Sequence, residues 1–110
     1  MDISKLTAIG GKEWRSQDGK LHRVYVPVAT LLKFECSHYG TGNISGATIA
    51  GREISNAMAR EYDGFCSDSK AWVDVNTGKF GVKLGYSRRL DVTAETLENA
   101  LRELMGEAHV

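Results

Sequence analysis

Three turn signals set what this chain can fold into. Asp18-Gly19, Ala50-Gly51 and Asn76-Thr-Gly78 each lie between short alternating or apolar runs, and each pair of runs is followed by a stretch of helical character. Glycine supplies the positive φ that tight hairpin turns require, and alternation is the pattern of a half-buried strand. The order is therefore hairpin, helix, hairpin, helix, hairpin, helix. Strands joined by tight turns pair antiparallel, so this order predicts an α+β fold, an antiparallel sheet of hairpins with about three helices packed on one face. A chain of 110 residues fits a single domain spanning residues 1–110. That length buries roughly two-thirds of the unfolded surface around one core.

The local expectations are specific. Residues 13–26 read as a hairpin with a two-residue turn at Asp18-Gly19, placing Leu21, Arg23 and Tyr25 on one face and His22, Val24 and Val26 on the other. Pro27 opens a short helix through residues 28–34. The segment 39–60 is punctuated by Gly40, Gly42, Gly46 and Gly51 and repeats Ile44-Ser45-Gly46-Ala47 as Ile54-Ser55-Asn56-Ala57. Within it, residues 47–54 form a hairpin turning at Ala50-Gly51, and Ser55 caps a helix over 56–62 that Gly64 ends. Residues 70–75 and 79–84 flank the clearest turn. Trp72 and Asp74 point away from Val73 and Val75, so this strand is apolar on both faces and expected to be central or covered by a helix. Thr93 caps a last helix to about Met105, with Leu97, Ala100, Leu101 and Leu104 in one stripe, Glu95, Glu98, Arg102 and Glu103 largely on the wet face, and Gly106 as its end.

Charge sets no global field. Lys plus Arg equal Asp plus Glu at 14 each, although residues 1–90 hold 13 basic and 9 acidic side chains and residues 91–110 hold 1 and 5. A basic body thus carries an acidic C-terminal segment. The first residues lack the basic start and apolar core of a signal peptide, and no apolar run approaches the roughly 18 residues of a membrane span. The expectation is a cytoplasmic protein without a membrane partner. Cys36 and Cys66, with 29 residues between them, are expected as reduced, buried thiols.

Known chemistries find little support. His22, His38 and His109 are dispersed, and neither C-x-x-C nor H-x-x-x-H occurs, so no metal is expected. Cys36-Ser-His38 could place a thiol and an imidazole on one strand face, but a nucleophile needs an orienting third group as well. Gly40-Thr-Gly42 and Gly46 lack the Lys-Ser/Thr of a phosphate-binding loop and read as turn formers. Asp63, Asp68 and Asp74 fall on a helix end, a loop and a strand. Basic residues flank aromatics twice: Trp14-Arg15 with Arg23 and Tyr25, and Lys79-Phe80 with Lys83, Tyr86, Arg88 and Arg89. Stacking with phosphate neutralisation would use such groups on a sheet face. Against it stand the zero net charge and the ordinary packing of Lys and Arg stems beside half-buried aromatics.

Gly42-Asn-Ile-Ser45, Gly51-Arg-Glu-Ile-Ser-Asn56, Ala59-Arg60, Trp72-Val-Asp74 and Gly78-Lys-Phe80, with Lys12-Glu-Trp14 and Arg23-Val-Tyr25, resemble a group of small uncharacterised proteins of bacteriophages and mobile elements. The likeness is dispersed over residues 11–80 and contains no catalytic residue. It implies a host-interaction or accessory protein and, by class and size, an inhibitor of the anti-CRISPR kind. The expected function is non-enzymatic binding and inhibition of a host protein or nucleoprotein complex, such as a CRISPR-Cas effector, by occlusion between complementary charged patches. A small nucleic-acid-binding or regulatory module is the alternative, and a small enzyme whose site only the fold reveals is the second alternative. No cofactor is expected. The partner-binding surface is placed on residues 39–60, with Tyr39, Asn43, Arg52 and Arg60, because rigid turns there present phenol, amide and guanidinium groups. The competing reading is that Asn43 and Ser45 bond only to their own turn backbone.

Overall fold

The computed structural model describes residues 3–40, 42–87 and 89–106; Arg88, His109 and Thr41 of the glycine loop lie outside them. The elements are α1 (Ser4–Ala8), β1 (Lys12–Arg15), β2 (Leu21–Val26), α2 (Val28–Leu31), β3 (Phe34–Tyr39), β4 (Asn43–Ile49), β5 (Arg52–Glu53), α3 (Asn56–Asp68), β6 (Lys70–Asp74), β7 (Phe80–Lys83) and α4 (Ala94–Leu104). The α+β class and the hairpin order hold. There are, however, two antiparallel sheets, β1-β2-β6-β7 and β3-β4-β5. β2 pairs with β1 and β6, while β4 pairs with β5 across the expected Ala50-Gly51 turn and, on its other edge, with β3, a strand the sequence pattern does not announce.

Turn chemistry accounts for most boundaries. At the first hairpin only Gly19 has positive φ. Instead of a two-residue turn, the loop closes by Gly19 N–H donating to the Ser16 carbonyl at 2.9 Å and Ser16 N–H to the Lys20 carbonyl at 3.0 Å. The Asp18 carboxylate accepts from Ser16 Oγ and from Lys20 N–H, bonds that occupy it and hold its pKa below the ordinary carboxylate value. Ala50 and Gly51, with φ of 50° and 81°, do make the expected primed turn. In the third hairpin Asp74 accepts from Asn76 N–H at 2.9 Å and Thr77 N–H at 3.1 Å.

Three helix expectations change. α2 stops at Leu31 because Lys33 takes φ of 57° and Phe34 enters β3 as a buried residue. α3 runs on past Gly64 to Asp68. A glycine inside a helix costs about 1 kcal/mol, less than the roughly 1.5–3 kcal/mol from burying the Phe65 side chain next to it. The short helix α1, which the sequence pattern does not announce, inserts fully buried Leu6 into the core. Gly11 allows it: its N–H donates to the Leu6 carbonyl at 2.8 Å, and a Cβ there would collide with that carbonyl. α4 follows expectation. Thr93 accepts from Thr96 N–H at 3.2 Å, and Thr96 Oγ1 accepts from Thr93 N–H at 3.3 Å, a capping box closed by threonine.

The main core joins one face of the four-stranded sheet, Val24, Val26, Ala71 and Val73, to Leu6, Val28, Phe65, Leu97 and Leu101 from all four helices. A second cluster sets Phe34, Ile44 and Ala47 of the smaller sheet against Ala59 of α3, with the Phe34 and Tyr62 rings stacked at 5.6 Å. Cys66 packs against both clusters, and both free cysteines are half-buried. No helix of the described residues is long and apolar enough to cross a membrane.

Leu101→Ala should lower the unfolding free energy by about 2–5 kcal/mol, the range for a cavity left by a buried leucine. Exposed Glu103→Ala should stay within about 0.5 kcal/mol. Urea unfolding of both variants checks the contrast.

Candidate functional site

Alternation of side chains along β1, β2, β6 and β7 sorts these strands into a core face and an outer face. Register places Lys12, Tyr25, Trp72 and Gly81 in one row across the outer face. Trp14, Arg23 and Asp74 form the next row, and Lys70 and Lys83 are paired on the other side of the first. Trp14, Arg23 and Tyr25 of the first basic and aromatic group thus join Lys83 of the second on one surface, because β2 pairs with β6 and β6 with β7. The rest of the second group does not follow: Arg89 lies 3.9 Å from Glu61 of α3, and Phe80, paired with Val73, belongs to the core face, where the Arg102 guanidinium lies 5.6 Å from its ring centre.

The ring contacts of this face run between its own members. Tyr25 and Trp72 meet at 5.7 Å with a tilt of 51°. The Arg23 guanidinium stands 4.9 Å over the Trp72 ring and donates to the Tyr25 hydroxyl at 3.3 Å, while Lys70 Nζ lies 5.8 Å from the Tyr25 ring centre. Trp72 lies down across Gly81, where a Cβ would overlap its Cε2, Cζ2 and Nε1 atoms. Trp14, half exposed, packs on His22 at 5.2 Å, and the register shift after Trp14 marks an irregularity at that edge. From the normal spacings of about 4.8 Å between strands and 3.4 Å along them, Trp14 and Trp72 stand roughly 12 Å apart.

The face carries the cations Lys12, Arg23, Lys70 and Lys83 against the single carboxylate of Asp74. That carboxylate is held below its usual pKa first by the backbone N–H groups of Asn76 and Thr77, and to a smaller degree by Arg23. It is directed to its turn rather than neutralising the lysines. The surface is therefore a cationic, aromatic platform within a chain of zero net charge.

The expected partner residues are all exposed but spread out. Tyr39 and Asn43 are cross-strand partners at the turn end of β3 and β4, while Arg52 pairs with Ile49 at the far end of β4 and Arg60 lies on α3. A concavity of about 420 Å³ does occur on this side, but Glu35, Ser37, Thr48, Glu53 and Asn56 line it and none of the four does. Arg52 instead borders a groove with Met58, Tyr62 and Leu90. Gly40 and Gly42, both with positive φ, serve the β3–β4 turn.

The remaining chemistry stays dispersed. Cys36 Sγ and His38 Nε2 are 3.8 Å apart, and no group of three His, Cys, Asp or Glu side chains able to hold a metal occurs among the described residues. Asp63 and Asp68 lie exposed on α3, away from the outer-face Asp74 in sheet register. Burial, and then the charge of Asp63, push the Cys66 thiol up to about 11, so it is neutral at physiological pH. Sequence reasoning had found Trp14, Arg23, Tyr25 and Lys83 but missed Lys12, Lys70, Trp72 and Gly81 as members of the same surface. The period-two pattern Lys70-x-Trp72-x-Asp74 carried that signal. The chain matches no family model, no curated protein and no solved structure.

Two outcomes follow from this geometry. In a Trp14→Phe background, Gly81→Ala should lift the Trp72 indole off the sheet and shift its fluorescence to longer wavelength; unchanged emission would contradict the contact. Iodoacetamide should modify Cys66 slowly at neutral pH, with the rate rising roughly tenfold per pH unit as thiolate forms, toward a plateau above about 11. Peptide mass mapping against pH reads this directly.

Proposed function

We propose that this chain is a binding protein that takes single-stranded nucleic acid on the outer face of its four-stranded sheet. The observation that supports the reading is the row of Tyr25 and Trp72 set among Lys12, Arg23, Lys70 and Lys83 on one open face. Bases stack on aromatic rings whatever their sequence, and ammonium groups beside the rings meet the phosphates that link those bases. A guanidinium plane such as that of Arg23 stacks on bases as well. A duplex hides its base faces, so the platform favours unpaired strands. The role implied by the phage-protein resemblance, inhibition of a host nucleoprotein, would follow where that nucleoprotein exposes a single strand for which this chain competes.

Fluorescence anisotropy with labelled single-stranded DNA and RNA oligonucleotides tests the reading. Trp72→Ala and Tyr25→Ala should each weaken binding by about 1–3 kcal/mol, the value of one stacked base. Lys83→Ala, at an exposed position, should weaken binding and flatten the dependence of log affinity on log salt by about 0.7, the share of one phosphate on a single strand. Arg52→Glu and Arg60→Glu should leave oligonucleotide binding intact. If these two abolish binding while the sheet variants keep it, the surface lies on residues 39–60 instead.

A further inference from the structure

At one end of the platform the sheet gives way to a cleft. Its volume is about 420 Å³, inside the roughly 300–1,000 Å³ typical of small-ligand sites. Val26, Val28 and Ala71 form its apolar wall, Cys66 and Ser69 reach it from the C-terminal end of α3, and Tyr25 borders it from the sheet face. Lys12 and Lys70 flank Tyr25, Lys12 as its direct cross-strand partner and Lys70 with its ammonium over the ring. Among the described residues no carboxylate lines the cleft.

Two details define the cleft. Ser69 is buried at the cleft, and its Oγ accepts from Gly85 N–H at 2.8 Å, which fixes the segment after β7 against it. Among the described residues, the cations that line the cleft are two ammonium groups flanking one aromatic ring. An internal phosphodiester carries one negative charge, whereas a terminal phosphate monoester carries about two near neutral pH. Two ammonium groups match the terminal group better, and the Tyr25 ring between them suits one base.

We infer that this cleft seats the phosphorylated end of the bound strand, with the terminal base on the Tyr25 ring and the terminal phosphate between Lys12 and Lys70. The inference rests on the sheet being a single-strand platform. The strand then lies on the sheet with a fixed polarity, its end at Tyr25 and its body running toward Trp72 and Trp14.

Three oligonucleotides of one sequence, with a 5′-phosphate, a 3′-phosphate or hydroxyls at both ends, separate the possibilities in anisotropy titrations against the intact chain. One phosphorylated end should bind roughly tenfold tighter than the unphosphorylated strand, as a charge-assisted contact can provide. Lys12→Ala and Lys70→Ala should erase that preference, whereas Trp72→Ala should weaken all three strands by the same factor. Equal affinity for the three, with Trp72→Ala still weakening each, would overturn the end-binding inference and leave the platform standing. Thymidine monophosphate binding as tightly as the phosphorylated oligonucleotide would make the cleft a free-nucleotide site and overturn the inference too. If none of the three strands binds, the platform and the end site fall together.

Discussion

The structure depends on the one-sidedness of the β1-β2-β6-β7 sheet. Leu6, Val28, Phe65, Leu97 and Leu101 all reach the same face, that of Val24, Val26, Ala71 and Val73. The outer face is left to cover itself. It does so with large flat side chains, Trp72 laid across Gly81 and Tyr25 against Trp72, and with cations drawn over the rings. Such cross-strand pairs stabilise a sheet by a few tenths to about 1 kcal/mol each, so the same contacts that finish the fold also build the platform.

α3 is what lets a second sheet join this core. Ala59 and Tyr62 meet the smaller sheet, Phe65 three residues beyond Tyr62 enters the main core, and Cys66 touches both clusters. A helix of this length can serve two cores only if it is continuous, and that explains why Gly64 does not end it. The C-terminal end of α3 then delivers Ser69 to the start of β6, where its hydroxyl ties down Gly85 beyond β7. Helix length, sheet edge and cleft are thereby linked through a few residues between Phe65 and Ala71.

Where the determinants were local, the sequence revealed the fold. Ala50-Gly51, Ser55, Thr93 and Gly106 act through bonds or φ angles within a few residues, and each behaves as its type requires. The turn at Asp18-Gly19 is a local failure, a loop closed by Ser16, Asp18 and Lys20 where a two-residue turn was expected, but the misjudged helices have a common cause. Gly64 and Phe34 are decided by burial against distant residues, and α1 exists only because Leu6 finds a core assembled by later elements. The platform shares this dependence. Its first half was visible as Trp14, Arg23 and Tyr25, but the pairing of Tyr25 with Trp72 joins residues 47 positions apart, and nothing within either hairpin demands it. In residues 39–60 the conspicuous glycines divide: Gly40, Gly42 and Gly51 take positive φ at turns, whereas Gly46 lies within β4.

Zero net charge does not argue against a polyanionic ligand once charges are sorted by face. Acidic residues are concentrated elsewhere: Glu95, Glu98 and Glu103 on α4, Glu35 and Glu53 on the smaller sheet, Asp63 and Asp68 on α3. Screening limits charges to about 8 Å at physiological ionic strength. A polyanion on the proposed outer-face site would therefore respond to the nearest lysines far more than to carboxylates on other elements. Rigidity adds to this. Tyr25, Trp72 and Arg23 stand on two adjacent strands in the interior of the sheet and are already in mutual contact, so a ligand would have little side-chain entropy to remove there. Lys12, Lys70 and Lys83 are exposed and can turn toward phosphates. The arrangement thus joins a fixed stacking surface to adaptable charges, a division of labour that suits a flexible, repeating polyanion better than a single rigid partner.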